Sequence, residues 1–190
     1  MAAVVVASAV MTALAGCGPA PWDDPTASPT SSASTGVPTP VPNDLSTGST
    51  QRTLTAGAVT ATVDYWSDLS MDKWTASAIK PVTLSLTTTV TPDDGQKVYL
   101  QRVTMIAVPS STSGPLTALD AQTDTATVSP GYLVLSPYSY SQTFRIGQVP
   151  DETVSVAVQF TYDFLVQATP TSTDYAKQAT SDTLTIAIAG

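Results

Sequence analysis

The stretch Val154-Ser155-Val156-Ala157-Val158-Gln159-Phe160-Thr161-Tyr162-Asp163-Phe164-Leu165-Val166 decides the fold class. Val154, Val156, Val158, Phe160, Tyr162, Phe164 and Val166 fall at every second position, with Ser155, Gln159, Thr161 and Asp163 between them. A period of two sends alternate side chains to opposite faces, so one face meets a core and the other meets water. The β-branched and aromatic residues on the apolar face favour a strand over a helix.

The same signature recurs outward from this run. Val59, Ala61, Val63 and Tyr65 alternate with Thr60, Thr62 and Asp64. Val82, Leu84, Leu86 and Val90 alternate with Thr83, Ser85, Thr87 and Thr89, and Leu184, Ile186 and Ile188 close the chain in the same way. Further strands are expected over 52–56, 97–107, 124–128, 132–135 and 140–146. In 97–108 both parities carry apolar residues: Val98, Leu100 and Ile106 on one, Tyr99, Val103 and Met105 on the other. That implies a bulge or a strand covered on both faces. Asp93-Asp94-Gly95 after Pro92 has turn chemistry and is expected to join 82–91 to 97–107 as a hairpin. The less regular segment 68–80 has room for one helical turn, with Trp74 plugging an end of the core.

Seven to nine short strands with almost no helix predict an all-β domain over 51–190, built as an antiparallel two-sheet β-sandwich. Leu135-Ser136-Pro137-Tyr138-Ser139-Tyr140, followed by Phe144, Ile146 and the 154–166 run, resembles the late strands of immunoglobulin-like extracellular domains. The resemblance implies that fold, without the paired cysteines of antibody domains, and it implies no particular function.

Ahead of the domain, residues 2–16 carry no charge and include Val4, Val5, Val6, Val10, Met11 and Leu14. As a helix this run spans about 22 Å, short of the roughly 30 Å of a bilayer core, so it suits the apolar region of an export signal rather than a permanent span. Leu14-Ala15-Gly16-Cys17 resembles the lipobox of bacterial lipoproteins. That resemblance implies removal of 1–16 as a signal peptide, acylation of the Cys17 sulfur, anchoring in the lipid bilayer and a place on the extracytoplasmic face of a bacterial membrane. A thiolate is the side chain suited to the transfer, being a far better nucleophile than a hydroxyl. No Lys or Arg precedes the run, a departure from the usual front of such signals. Residues 17–50 then hold Pro19, Pro21, Pro25, Pro29, Pro38, Pro40 and Pro42 in a stretch dominated by Ser, Thr, Ala and Gly, with Trp22 its one aromatic residue. Such a composition buries too little apolar surface to offset the entropy of folding, so a disordered tether is expected.

Composition excludes more than it identifies. The chain has no histidine and a single cysteine. There is therefore no Ser–His–Asp or Cys–His pair, no imidazole base, no His-ligated zinc and no intramolecular disulfide. A net charge of −8 without basic clusters argues against nucleic acid as a partner. No cofactor is expected.

The carboxylates are scattered: Asp64, Asp68 and Asp72, then Asp93 and Asp94, then Asp120, Asp124, Asp151, Glu152, Asp163, Asp174 and Asp182. A glycosidase needs two of them facing one cleft, and no spacing here brings a particular pair together. Calcium at loop ends is a milder possibility, although Asp64, Asp68 and Asp72 do not follow the alternating pattern of an EF-hand loop. Trp66, Trp74, Tyr138 and Tyr140, with Tyr65, are the candidate stacking faces for a glycan or an envelope protein. The leading expectation is a non-catalytic binding or interaction module. A structural cell-envelope protein without a small ligand is the alternative, and a carboxylate-based glycan hydrolase is a distant third.

Overall fold

The computed structural model describes residues 40–190; Cys17, Trp22 and the rest of the stretch 1–39 lie outside them. Ten strands occur among the described residues, against the seven to nine expected: β1 (Ser49–Ala56), β2 (Val59–Trp66), β3 (Lys80–Val90), β4 (Val98–Ser111), β5 (Gly114–Pro115), β6 (Gln122–Thr125), β7 (Tyr132–Leu133), β8 (Tyr140–Ile146), β9 (Ser155–Gln167) and β10 (Tyr175–Ala187). They form two antiparallel sheets. One has the order β1-β2-β3-β8; the other runs β10-β9-β4, with β5, β6 and β7 pairing along the far side of β4. No described helix is long and apolar enough to cross a membrane.

The quoted run is β9, the centre of the second sheet, bonded to β10 on one side and β4 on the other. Val156, Val158, Phe160, Tyr162, Phe164 and Val166 are all buried. Across the core they meet Val59, Ala61, Val63 and Tyr65 from β2 and Val82, Leu84 and Leu86 from β3. The rings of Tyr65 and Phe144 lie 5.3 and 5.6 Å from that of Phe160, which ties the two sheets together at their middles. In β4 the bulge is present: the register with β9 shifts between Leu100 and Arg102. Val98 and Leu100 point inward before it, and Val103, Met105 and Ala107 point inward after it. One extra residue thus accounts for apolar residues of both parities.

Segment 68–80 holds one 3-10 turn, Met71–Lys73, and carries Trp74 into the core with no exposure. The indole Nε1 donates to the Leu69 carbonyl at 3.2 Å and the Ser67 hydroxyl at 3.3 Å, so the ring is buried without an orphaned donor. Beside it Lys80, fully buried, donates its ammonium to the carbonyls of Thr75 (3.1 Å), Ala76 (3.4 Å) and Ala78 (2.7 Å).

Two expectations are corrected. The hairpin between 82–91 and 97–107 does not form: β3 pairs with β2 and β8, while β4 pairs with β9, so residues 91–97 cross from one sheet to the other. The turn itself is real, with the Gly95 N–H donating to Asp93 Oδ1 at 3.1 Å and Gly95 at φ 88°. Local turn chemistry sets a change of direction but not which strand the chain joins next. The folded domain also begins before residue 51. Leu45 is fully buried, and Asp44 accepts from Arg52 Nη2 at 2.8 Å and from the Thr185 N–H at 2.7 Å, clipping this lead-in to the edge of β10.

Candidate functional site

The 91–97 crossing brings three segments to one end of the domain, and glutamine amides hold two of them. Gln96 accepts from the Asp94 N–H at 2.7 Å and donates to the Pro92 carbonyl at 2.6 Å, which closes the crossing on itself. Gln167, at the end of β9, accepts from the Lys97 N–H at 3.2 Å and donates to the Ser172 carbonyl at 2.8 Å. An amide side chain offers the same donor–acceptor pair as a peptide group, so it can stand in for a missing strand neighbour. The third segment, Val134–Tyr138, is fixed through its own backbone. Val134 N–H donates to Val98 O at 3.0 Å, Ser136 N–H to Thr88 O at 2.9 Å and Tyr138 N–H to Leu135 O at 3.0 Å.

Between the crossing and the segment 133–138 lies a groove of about 280 Å³ lined by Gly95, Lys97, Leu133, Leu135, Ser136 and Tyr138. Its chemistry is mixed. Tyr138 is 58% exposed and is the only aromatic residue to stand mostly in solvent among the described residues. Lys97 is exposed and, like the exposed Arg145 elsewhere, makes no ion pair among the described residues, whereas Arg52, Lys73, Arg102 and Lys177 each have an acidic partner. Leu133 and Leu135 supply a half-buried apolar floor, and Ser136 an exposed hydroxyl. The lining contains no carboxylate, so the acid pair of a glycan hydrolase is not found in it.

Of the four aromatic residues singled out from sequence, only Tyr138 lies in the groove. Trp74 and Tyr140 are not available to a ligand. Trp74 fills the core, and Tyr140 is 8% exposed, stacked on Tyr132 at 5.6 Å, with its hydroxyl donating to Asp124 Oδ2 at 2.7 Å. Burial, then the Asp124 bond and charge, pushes the Tyr140 phenol well above its ordinary value. Tyr65, offered as a further stacking face, is likewise buried. Both Trp74 and Tyr140 lie on segments whose pattern is too irregular or too short for strand phase to tell an inward ring from an outward one.

Trp66 is half-buried at the end of β2, where it opposes Thr83, while Leu135 bridges to Thr88. Five residues of strand, roughly 16 Å, separate those two positions, so Trp66 and the groove are separate places. Lys97, Leu133 and Leu135 were not legible as site residues: a lone lysine before a strand and two leucines in a short run carry no signature of their own.

The acidic clusters do not converge. Asp64 accepts from Gln51 Nε2 at 2.7 Å, and Asp72 is held below the usual carboxylate range by the Ser70 hydroxyl and then by Lys73. Among the described residues, no three His, Cys, Asp or Glu side chains gather as a metal site requires. No protein-family model matches the chain, and no curated protein matches it in sequence.

Proposed function

We propose that the chain is a lipid-anchored extracytoplasmic protein whose immunoglobulin-like β-sandwich binds a ligand, without catalysis, in the groove beside Tyr138. The observation that carries the binding reading is the pairing of one exposed aromatic ring with one unpaired ammonium over an apolar floor. Ligand sites are commonly concave and mostly apolar with a few polar groups that fix orientation. The immunoglobulin-like assignment draws its support from strand order: β2-β3-β8 faces β10-β9-β4, the sheet partition of such domains. Anchoring draws its support from Leu14-Ala15-Gly16-Cys17 and the Pro-rich stretch that follows. The non-catalytic reading follows from the lack of histidine and from a lining without carboxylates. Partners are then the bilayer through acylated Cys17 and an envelope glycan or protein through the groove.

The test is co-sedimentation of the full chain with delipidated cell-envelope material, using Cys17→Ser throughout so that acyl groups play no part. Tyr138→Ala should reduce retention severalfold. Equal retention of the two proteins would remove the groove as the binding site.

A further inference from the structure

We infer that the groove ligand is a carboxylate-bearing glycan, bound by stacking of a sugar ring on Tyr138 and pairing of its carboxylate with Lys97. This rests on the groove being the binding site. Three observations select that chemistry.

The first is charge. The chain holds 15 acidic and 7 basic residues, and of the six cationic side chains that are not buried only Lys97 and Arg145 lack an acidic partner among the described residues, of which Lys97 is the one that lines the groove. Lys97 stands at the groove with none among the described residues, although Asp93 and Asp94 lie four and three positions before it. Asp93 directs an oxygen to the Gly95 N–H instead. An incoming carboxylate would supply the missing charge-assisted hydrogen bond.

The second is what the groove does not offer. An extended peptide binds a sheet by donating to and accepting from free backbone groups. Here the N–H groups of Val134, Ser136 and Tyr138 are already given to Val98, Thr88 and Leu135, and the Thr88 N–H is given to Val134. Of the N–H groups of Val134–Tyr138 only that of Leu135 is left without such a bond, and Pro137 has none, so a ladder has a single donor here and recognition falls mainly to side chains. Those present are a ring, a hydroxyl and an ammonium, which match the apolar C–H face, the hydroxyls and the carboxylate of a sugar acid.

The third is size and stiffness. A volume of about 280 Å³ lies just below the range for small-molecule sites, roughly 300–1,000 Å³, and suits one or two rings rather than a long segment. Gln96 and Gln167 brace the Lys97 wall and backbone bonds fix the Tyr138 wall, so the backbone on both sides is ordered and only the two side chains are left to be ordered by binding.

The experiment is calorimetric titration of the full chain in detergent micelles with digalacturonate, with the same disaccharide reduced at its carboxylates, and with a short glutamate peptide of equal charge. Digalacturonate should bind at least about tenfold more tightly than either competitor, and affinity should fall as salt rises. Lys97→Met should erase the preference for the acid, and Tyr138→Ala should abolish binding of both sugars. Both side chains are exposed, so circular dichroism should show each variant folded. Equal, Tyr138-dependent binding of the acidic and reduced sugars would overturn the carboxylate assignment while leaving the groove as a glycan site. Tighter binding of the peptide would overturn the glycan. No binding of any probe, with Tyr138-dependent retention on envelope material intact, would overturn this inference alone.

Discussion

The hydroxyl groups of Tyr65 and Tyr162 meet 2.8 Å apart inside the core, one from each sheet, on side chains with no solvent exposure. Each is the other's hydrogen-bond partner where water cannot reach. Tyr162→Phe alone strands the Tyr65 hydroxyl and should destabilise the domain by about 1–3 kcal/mol. Adding Tyr65→Phe removes the stranded group, so the double variant should be no less stable than the worse single one. Urea denaturation of the four proteins checks this through a double-mutant cycle. Additive losses would mean that the two hydroxyls act independently.

The same burial makes the domain sensitive to alkali. Burial pushes the phenols of Tyr65, Tyr140 and Tyr162 well above their ordinary value. In the unfolded chain a tyrosine ionises near pH 10, so above that pH the unfolded state sheds protons that the folded state keeps. Linkage then makes stability fall as pH rises beyond about 10, while the contribution of these groups is intact below it. Tyrosinate absorbance for these three residues should appear only together with loss of sheet signal. Their ionisation ahead of unfolding would contradict the buried placement.

How far the sequence reveals this fold depends on where strands put their polar residues. β9 was legible because every core position is apolar. β10 was legible only from Leu184 onward, although it starts at Tyr175. Its inward positions Gln178, Thr180 and Asp182 are polar and half-buried, because this half of the strand lies at the open edge beside β1. There Gln178 accepts from the Ala58 N–H at 3.2 Å, and Asp182 lies 4.0 Å from Arg52. A seam of that kind has no period to detect. Pairing was less legible than strand position, since the residues that route β3 away from β4 are long-range partners in β8 and β9. At the groove, Tyr138 could be singled out as an aromatic residue, but its exposure, and the convergence of Lys97 with it, exist only once the 91–97 crossing is made.

Lys80 illustrates a role that composition hides. Its ammonium replaces water with three carbonyls of the 75–78 segment, and burial pulls its ionisation below the ordinary lysine value. Lys80→Met keeps much of the apolar stem but takes away the only donor to the Ala78 carbonyl, while the Thr75 and Ala76 carbonyls keep the N–H groups of Ala78 and Val149. The cost should be about 1–3 kcal/mol, that of leaving a buried acceptor unpaired. Urea melts report the loss, and hydrogen exchange should localise the loosening to residues 74–79. A variant as stable as the parent would show that water takes over the cage.

Gly131 offers a steric test of the groove wall. A Cβ there would stand 2.6 Å from the Leu100 carbonyl oxygen, a backbone atom that cannot swing aside. Gly131→Ala must therefore push Tyr132–Leu133 off β4, with Leu133 part of the groove lining. A loss of about 1–3 kcal/mol is expected, lowering the thermal midpoint by roughly 3–10 °C. Ligand binding should weaken in the same variant at temperatures where it remains folded. An unchanged midpoint would mean that the backbone relieves the clash without cost.

The proposed anchor makes a prediction separable from all of these, because it concerns Cys17, which lies outside the described residues. Two acyl chains on its sulfur would each bury many methylenes, at about 0.8 kcal/mol apiece, enough for stable membrane attachment. The stretch 18–39 has only Trp22 as a large apolar side chain, and a net charge of −8 gives the protein no attraction to anionic lipid. Cys17→Ser should therefore leave the thermal midpoint unchanged while abolishing both palmitate labelling and partitioning into the detergent phase. The comparison requires expression of both proteins behind a complete export signal in a bacterial host. Equal labelling and partitioning of the two would show that Leu14-Ala15-Gly16-Cys17 is incidental.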